Sequence, residues 1–409
     1  MQRVTRFAGV LVALGLAAIG SLPPGAQAQG VSPSPPPTPD WSLVRNWALG
    51  VLGELVGGPD TPSGPTGTAQ PSDTPGPAAS GPTIEELVGQ KLVVRMTGRK
   101  PSDALLGRIG RGEIGGVVLL ASNITTRSKL VKLTRTLQQA ATDGGQPPLL
   151  IALDQEGGSV KRVTWAPPTM TVPQMGQNGS AAVARSQGAA TGATLRHLGI
   201  NVDLAPVADI PRSPDSFMYQ QGRVFSFDAG HTATLADAFA TGLASSGVMA
   251  TMKHFPGIGL AIRNTDHYAD TIDASKDALE LDLRPYRRAI AHDIPLIMLS
   301  NATYAAYDPD NAAGWSEAIA VQLARDELGF QGVTITDSLD GAAHSRGLTD
   351  RDLAKRAAQA GTDMILMTGS ERTTARVFDT LVAGVRDGSI PLGTLRTSYD
   401  RIMTLKRHL

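Results

Sequence analysis

Between Asp154 and Asp340 the sequence carries a series of groups able to do nucleophilic, acid-base or sugar-holding work: Asp154, Glu156, Arg162, Asp209, Arg223, the adjacent pair Lys253-His254, Asp266-His267, Asn301, Asp337 and Asp340. Hydrolysing a glycosidic bond with retention needs one carboxylate to attack the anomeric carbon and a second group to protonate the leaving oxygen and later deprotonate water. Donors and acceptors must also hold the sugar hydroxyls. No serine nucleophile elbow, phosphate-cradling Walker loop or His-Glu-x-x-His helix is present, so the other motif-defined routes to hydrolysis or phosphoryl transfer lack a carrier. There is no cysteine, which excludes disulfides, thiolate metal sites and a lipid-modified cysteine.

The elements that must position these groups show as short runs rich in Val, Ile and Leu: Leu92–Met96, Gly116–Leu120, Leu149–Leu153, Ile200–Leu204, Val248–Met252, Leu296–Leu299, Val333–Thr336 and Met364–Met367. Amphipathic stretches long enough for helices lie between most of them, namely Ser128–Thr142, Ala181–Leu198, Thr232–Ser245, Leu279–Ala291, Trp315–Glu327 and Asp350–Ala360. Strands apolar on both faces and alternating with helices predict a parallel sheet, and eight of them fit a closed TIM-type (β/α)8 barrel. An open doubly wound sheet is the other solution, without support from any Gly-x-Gly-x-x-Gly turn after the first strand. On a barrel the reactive groups belong where strands end. Asp154 and Glu156 follow the third run, Asp209 the fourth, Lys253 and His254 the fifth, Asn301 the sixth, and Asp337 and Asp340 the seventh.

Five segments, taken together, carry a family likeness: Asp154-Gln155-Glu156-Gly157-Gly158-Ser159-Val160-Lys161-Arg162; Ala205-Pro206-Val207-Ala208-Asp209; Gly222-Arg223-Val224-Phe225; Lys253-His254-Phe255-Pro256-Gly257-Ile258-Gly259; and Gly329-Phe330-Gln331-Gly332-Val333-Thr334-Ile335-Thr336-Asp337. In this order the chain resembles family 3 glycoside hydrolases, and within them the bacterial β-N-acetylglucosaminidases, over nearly all of Thr83–Leu409. The resemblance implies a barrel, a retaining mechanism, and neither metal nor cofactor. It also implies Asp337 as nucleophile, with Asp154, Arg162, Arg223, Lys253 and His254 gripping the sugar. Neighbouring Lys and Arg would keep Asp337 ionised. By residue type alone, Asp154 is equally a loop-holding aspartate and Arg162 and Arg223 are surface arginines; the bland readings of Asp337 as a helix N-cap, Lys253 as a buried ion-pair member and His254 as a structural histidine are outweighed by their place at strand ends. Glu156 and Asp209 are expected to serve as scaffold.

The sequence departs from that branch where the acid/base is expected. Ile258 replaces a histidine, and in Leu260–His267 Thr265 stands where the partner aspartate of His267 belongs. Three readings stay open: His267 acts with Asp266 or Asp270 beside it, Asp266 is itself the acid, or the acid/base is lost. Asp337-Ser338-Leu339-Asp340 replaces a commoner aspartate pair, so Ser338 is expected to alter the field around Asp337. The predicted function is hydrolysis of terminal β-linked N-acetylglucosamine from cell-wall or chitin-type glycans. Another exo-β-glycosidase activity such as β-glucosidase, or a silent carbohydrate-binding barrel, are the alternatives.

Ahead of the barrel, Arg3 and Arg6, an apolar run from Phe7 and Ala26-Gln27-Ala28 predict a signal peptide over 1–28. That run is shorter than the roughly 20 apolar residues a membrane span needs. Residues 29–82, rich in Pro, Gly and Ser, read as a flexible linker. Trp41, Val44, Trp47, Ala48, Val51, Leu52 and Leu55 at helical spacing predict one amphipathic helix over 41–56 within it. Thr83 and Glu86 form a capping-box pattern where the domain over 83–409 begins. A formal net charge of zero offers no general attraction to nucleic acid or anionic membrane. A secreted or cell-envelope protein, with the linker as the route to envelope association, is the expected setting.

Overall fold

The computed structural model describes residues 81–409. The expected signal peptide, the linker and the helix over 41–56 lie outside the described residues. The first ordered helix, Ile84–Lys91, starts with the expected capping box: Glu86 N donates to Thr83 Oγ1 at 3.2 Å and Thr83 N to Glu86 Oε2 at 2.8 Å.

Each apolar run becomes a strand: β1 (Leu92–Arg95), β2 (Gly116–Val118), β3 (Leu150–Leu153), β4 (Val202–Asp203), β5 (Met249–Phe255), β6 (Leu296–Leu299), β7 (Val333–Thr336) and β8 (Ile365–Met367). All neighbours pair in parallel, in sequence order from β1 to β7, with β8 alongside β1 through the register Leu92↔Ile365. Between β7 and β8, Met364 N donates to Thr334 O at 2.8 Å and Thr336 N to Met364 O at 3.0 Å, which closes the ring. The barrel therefore replaces the open-sheet alternative. Its strands read as continuous apolar runs because one face fills the interior and the other meets the helices.

Five of the expected helices form as α-helices, at Arg127–Asp143, Ala181–His197, Ala229–Ala244, Lys276–Ala291 and Asp350–Gln359. The sixth, Ala318–Glu327, is π-helical. Helices Asp103–Gly110, Glu371–Arg386 and Leu392–Lys406 complete the layer. The last of these closes the floor of the barrel. Ile402 and Leu405 join the interior cluster with Val93, Val118, Leu150, Val202, Met298, Ile335 and Leu366. At the same end Lys406 Nζ donates to Gln90 Oε1 (2.6 Å) and Gly115 O (2.8 Å), and Lys91 Nζ to Asp363 O (2.9 Å) and Ser398 Oγ (3.1 Å). With the floor filled, the open end of the barrel among the described residues is the mouth where the strands end.

Candidate active site

Asp154 follows β3, and the chain after it forms a short antiparallel ribbon, Gln155–Gly157 against Val160–Lys161. Gly157 and Gly158 make the turn at φ of 101° and 66°, backbone that favours glycine. Arg162 N then donates to Asp154 O at 3.1 Å. The ribbon thus presents Asp154, Glu156 and Arg162 together.

Lys253, buried near the end of β5, lies between the two carboxylates, with Nζ 2.8 Å from Asp154 Oδ1 and 2.7 Å from Glu156 Oε1. Arg162 Nη2 donates to Asp154 Oδ2 at 2.9 Å. Arg223 clamps Glu156 through Nε to Oε2 (2.9 Å) and Nη2 to Oε1 (2.7 Å). Burial alone would raise both acids, and the cations outweigh it. Lys253 and Arg162 hold Asp154 well below the usual carboxylate range, while Arg223 and Lys253 bring Glu156 down to about 2. Burial works against the charge on Lys253, yet Asp154 and Glu156 raise it on balance. The Asp154 side chain keeps 16% exposure and that of Glu156 none, so Asp154 is open to a ligand while Glu156 braces Lys253 and Arg223.

His254 lies next along β5. Its Nδ1 is 2.7 Å from Asp209 Oδ2, and Asp209 Oδ1 accepts from the backbone N of His254 (3.3 Å) and Ile258 (2.9 Å). Donation from Nδ1–H to Asp209 leaves Nε2 available, 4.0 Å from Asp337 Oδ2. Asp337 follows β7; its N donates to Leu299 O at 2.8 Å and its Oδ1 accepts from Ser338 N at 2.7 Å. Burial and then the charge of Asp266 push Asp337 up to about 6, against the pull of His254, the Ser338 N–H and Lys253. His254 and Lys253 still favour the charged form, whereas Arg162 and Arg223 are engaged by Asp154 and Glu156.

Asp266 and His267, adjacent in sequence, meet different surroundings. Asp266 is half-buried, and its Oδ1 accepts from Asn301 Nδ2 at 3.2 Å. The same Nδ2 donates to Ser338 O at 2.9 Å, which ties the loop after β5 to the backbone beside Asp337. Gly341, in the helix Leu339–Ser345, permits this approach: a Cβ there would lie 2.1 Å from Asp266 O. His267 is exposed, and among the described residues its side chain has no hydrogen bond to Asp266 or Asp270. Asp270 pairs with Arg263 at 2.8 Å instead, and so is not the partner that the sequence offered to His267. The Ser338 hydroxyl sits 2.6 Å from Thr368 Oγ1, so Ser338 acts on Asp337 through its N–H. Asp340 accepts from Thr368 Oγ1 at 3.0 Å and holds the loop after β8.

Two contributors escaped the sequence reading. Asn301 stood at a strand end without a role. Asp203, inside β4, accepts from Gln155 N at 2.9 Å through Oδ1, its Oδ2 is buried without a partner, and burial pushes it up to about 8. An acid inside an otherwise apolar strand was the available signal. Away from the mouth, a hollow lined by Gln138, Arg196, Asn201 and Leu409 lies at the opposite end of the strands and gathers no reactive set. Among the described residues no group of His, Asp and Glu is arranged to hold a metal ion.

A closed parallel barrel whose mouth joins carboxylates, a lysine and a histidine suits the two-carboxylate chemistry of a barrel glycosidase. Residues 83–405 match the Glycosyl hydrolase family 3 N terminal domain, and the chain belongs to that family; it is a glycosidase, and its substrate is a carbohydrate. An uncharacterized secreted glycosyl hydrolase of Arthroderma benhamiae is 32% identical over 327 residues, 78% of this chain and 92% of that one. A beta-hexosaminidase of Nitrosomonas eutropha is 36% identical over 265 residues, 62% of this chain and 73% of its own. The crystal structure of a beta-N-acetylhexosaminidase from Beutenbergia cavernae superposes with a TM-score of 0.73 at 30% identity, covering 80% of this chain and 98% of that one. Among the described residues no helix is long and apolar enough to cross a membrane.

Proposed function

We propose that this chain is an exported, retaining exo-β-N-acetylhexosaminidase that removes terminal β-linked N-acetylglucosamine from cell-wall or chitin-type glycans. The observation that carries the reading is the convergence of Asp337 with His254, 4.0 Å away, and with the Asp154–Lys253–Glu156–Arg223 network beside it. Asp337 attacks the anomeric carbon and forms a covalent glycosyl-enzyme. Asp154, Lys253, His254, Arg162 and Arg223 hold the ring, either on its hydroxyls or by orienting the groups that do. The names of the relatives from Nitrosomonas and Beutenbergia support the amino-sugar specificity. The secreted relative from Arthroderma, with the signal pattern over 1–28 and the linker over 29–82, supports an extracytoplasmic setting and envelope association.

For the proton we assign Asp266, with His267 as the second reading. Asp266 is held by Asn301 next to Asp337, whereas the His267 side chain is solvent-facing and lacks a carboxylate partner. As acid, Asp266 acts in the form of the pair in which it carries the one shared proton and Asp337 is ionised, and it gives that proton to the glycosidic oxygen as that bond breaks. As base, it takes a proton from the water that cleaves the glycosyl-enzyme.

The test compares an aryl β-N-acetylglucosaminide with the matching β-glucoside. The wild type is expected to turn over the first, and Asp337→Ala to lose on the order of a thousandfold or more. With Asp266→Ala, azide is expected to restore turnover of an activated aryl glycoside and to yield the β-configured glycosyl azide. Rescue confined to His267→Ala would move the proton to His267. Wild-type rates in Asp337→Ala, or sugar binding with no turnover of either glycoside, would end the proposal.

A further inference from the structure

Among the described residues, seven large apolar side chains are prominently exposed, and five of them lie on three consecutive loops at the mouth: Trp165 after β3, Tyr219 and Phe227 after β4, Ile262 and Tyr268 after β5. Scattered exposed apolar residues are ordinary on a protein surface; a concentration beside a reactive site is not. The three loops form one surface. Ser159 Oγ donates to Gln221 O at 3.1 Å, joining the first to the second, and Phe217 N donates to Ala261 O at 2.9 Å, joining the second to the third.

Every exposed ring is held by a neighbour. The Arg127 guanidinium lies 4.8 Å from the Trp165 ring centre, and Arg263, itself paired with Asp270, lies 5.3 Å from that of Tyr268. Tyr219 and Phe227 hold each other with centroids 4.9 Å apart at 54°. Rings held in place and still 42–50% exposed lose little freedom when something flat is laid on them. The apolar C–H face of a pyranose is such a partner, and aromatic rings supply broad, stiff contact area.

We propose that this rim binds the sugars on the leaving-group side of the scissile bond, so that the preferred substrate is a chain of β-linked amino sugars rather than a small glycoside. The inference rests on the assignment of Asp266 as proton donor. Asp266 shares its loop with Ile262 and Tyr268, so the oxygen it protonates, and the sugars attached to that oxygen, leave along this side of the mouth. Tyr219 and Phe227 flank Arg223, which places them four residues to either side of a group that braces the sugar-holding network.

The experiment compares kcat/KM for a β-1,4-linked tetramer of N-acetylglucosamine with that for an aryl β-N-acetylglucosaminide, in wild type and in the double variant Tyr219→Ala, Phe227→Ala. The ratio of the two is expected to fall at least tenfold in the variant, mainly through KM of the tetramer. An unchanged ratio overturns the proposal, even if both rates fall together. Should neither compound be turned over by the wild type, the catalytic assignment fails separately, and calorimetric titration of Asp337→Asn with the same tetramer decides the rim alone. Weakening of at least tenfold when Tyr219→Ala, Phe227→Ala is added supports it, and equal affinity overturns it.

Discussion

Asp337 illustrates how one side chain is caught between the demands of folding and chemistry. Its raised position, at about 6, follows from burial and from Asp266. In the unfolded chain an aspartate titrates near 4. Because the folded value is the higher one, this group favours folding most below pH 4, and that contribution is lost as pH rises through 6. Asp337→Asn keeps the shape without the charge, so it is expected to gain about 3 kcal/mol over the wild type at pH 8 and almost nothing at pH 4. Urea midpoints at the two pH values measure this; a gain independent of pH would place the raised acid elsewhere. Catalysis runs the other way, since only the ionised form attacks carbon, and kcat/KM is expected to climb through pH 6. The residue is costly to stability in the same pH range where it becomes useful.

At the scale of elements, most of the eight strands were readable because they are buried on both faces and rich in Val, Ile and Leu, and the helices because their apolar stripe recurs at helical spacing. The strand-end residues followed from that count. What resisted reading was anything decided by contacts distant in sequence. The different surroundings of Asp266 and His267 depend on Asn301 and Gly341, respectively 35 and 75 positions beyond Asp266. The capture of Asp270 by Arg263 follows no spacing rule, and Asp203 is hidden inside a strand. The Gly341 contact gives this a test. Alanine is the better helix former by roughly 1 kcal/mol, yet its Cβ would lie 2.1 Å from the Asp266 carbonyl oxygen, so the loop must move. Gly341→Ala is expected to lower kcat/KM on the aryl β-N-acetylglucosaminide by roughly ten- to a hundredfold with the far-ultraviolet dichroism unchanged, the scale at which small misplacements of reacting groups register. Full activity would show that the position of this loop is unimportant.

For the whole molecule, the floor matters as much as the mouth. Lys91 and Lys406 are buried there, and burial lowers them to about 8 and about 7. Asp363 partly offsets burial at Lys91, whereas only burial shifts Lys406. A lysine lowered in the folded state binds fewer protons there than in the unfolded chain, so stability rises with pH between the folded and unfolded values. Lys406→Met removes the buried ammonium along with its bonds to Gln90 and Gly115. Its effect on stability is expected to be more favourable at pH 6 than at pH 9 by about 3 kcal/mol, read from denaturant midpoints. Equal effects at both would mean that Lys406 stays charged throughout.

The pairing of Leu92 with Ile365 across the seam has a consequence for biogenesis. Strands made early in synthesis have no lateral partner on one side until some 270 further residues exist, so a half-made sheet presents a sticky margin for most of the time the ribosome spends on it. The ring can therefore close only after its last strand has been made, and until then the free side of the first strand is open to pairing with other chains.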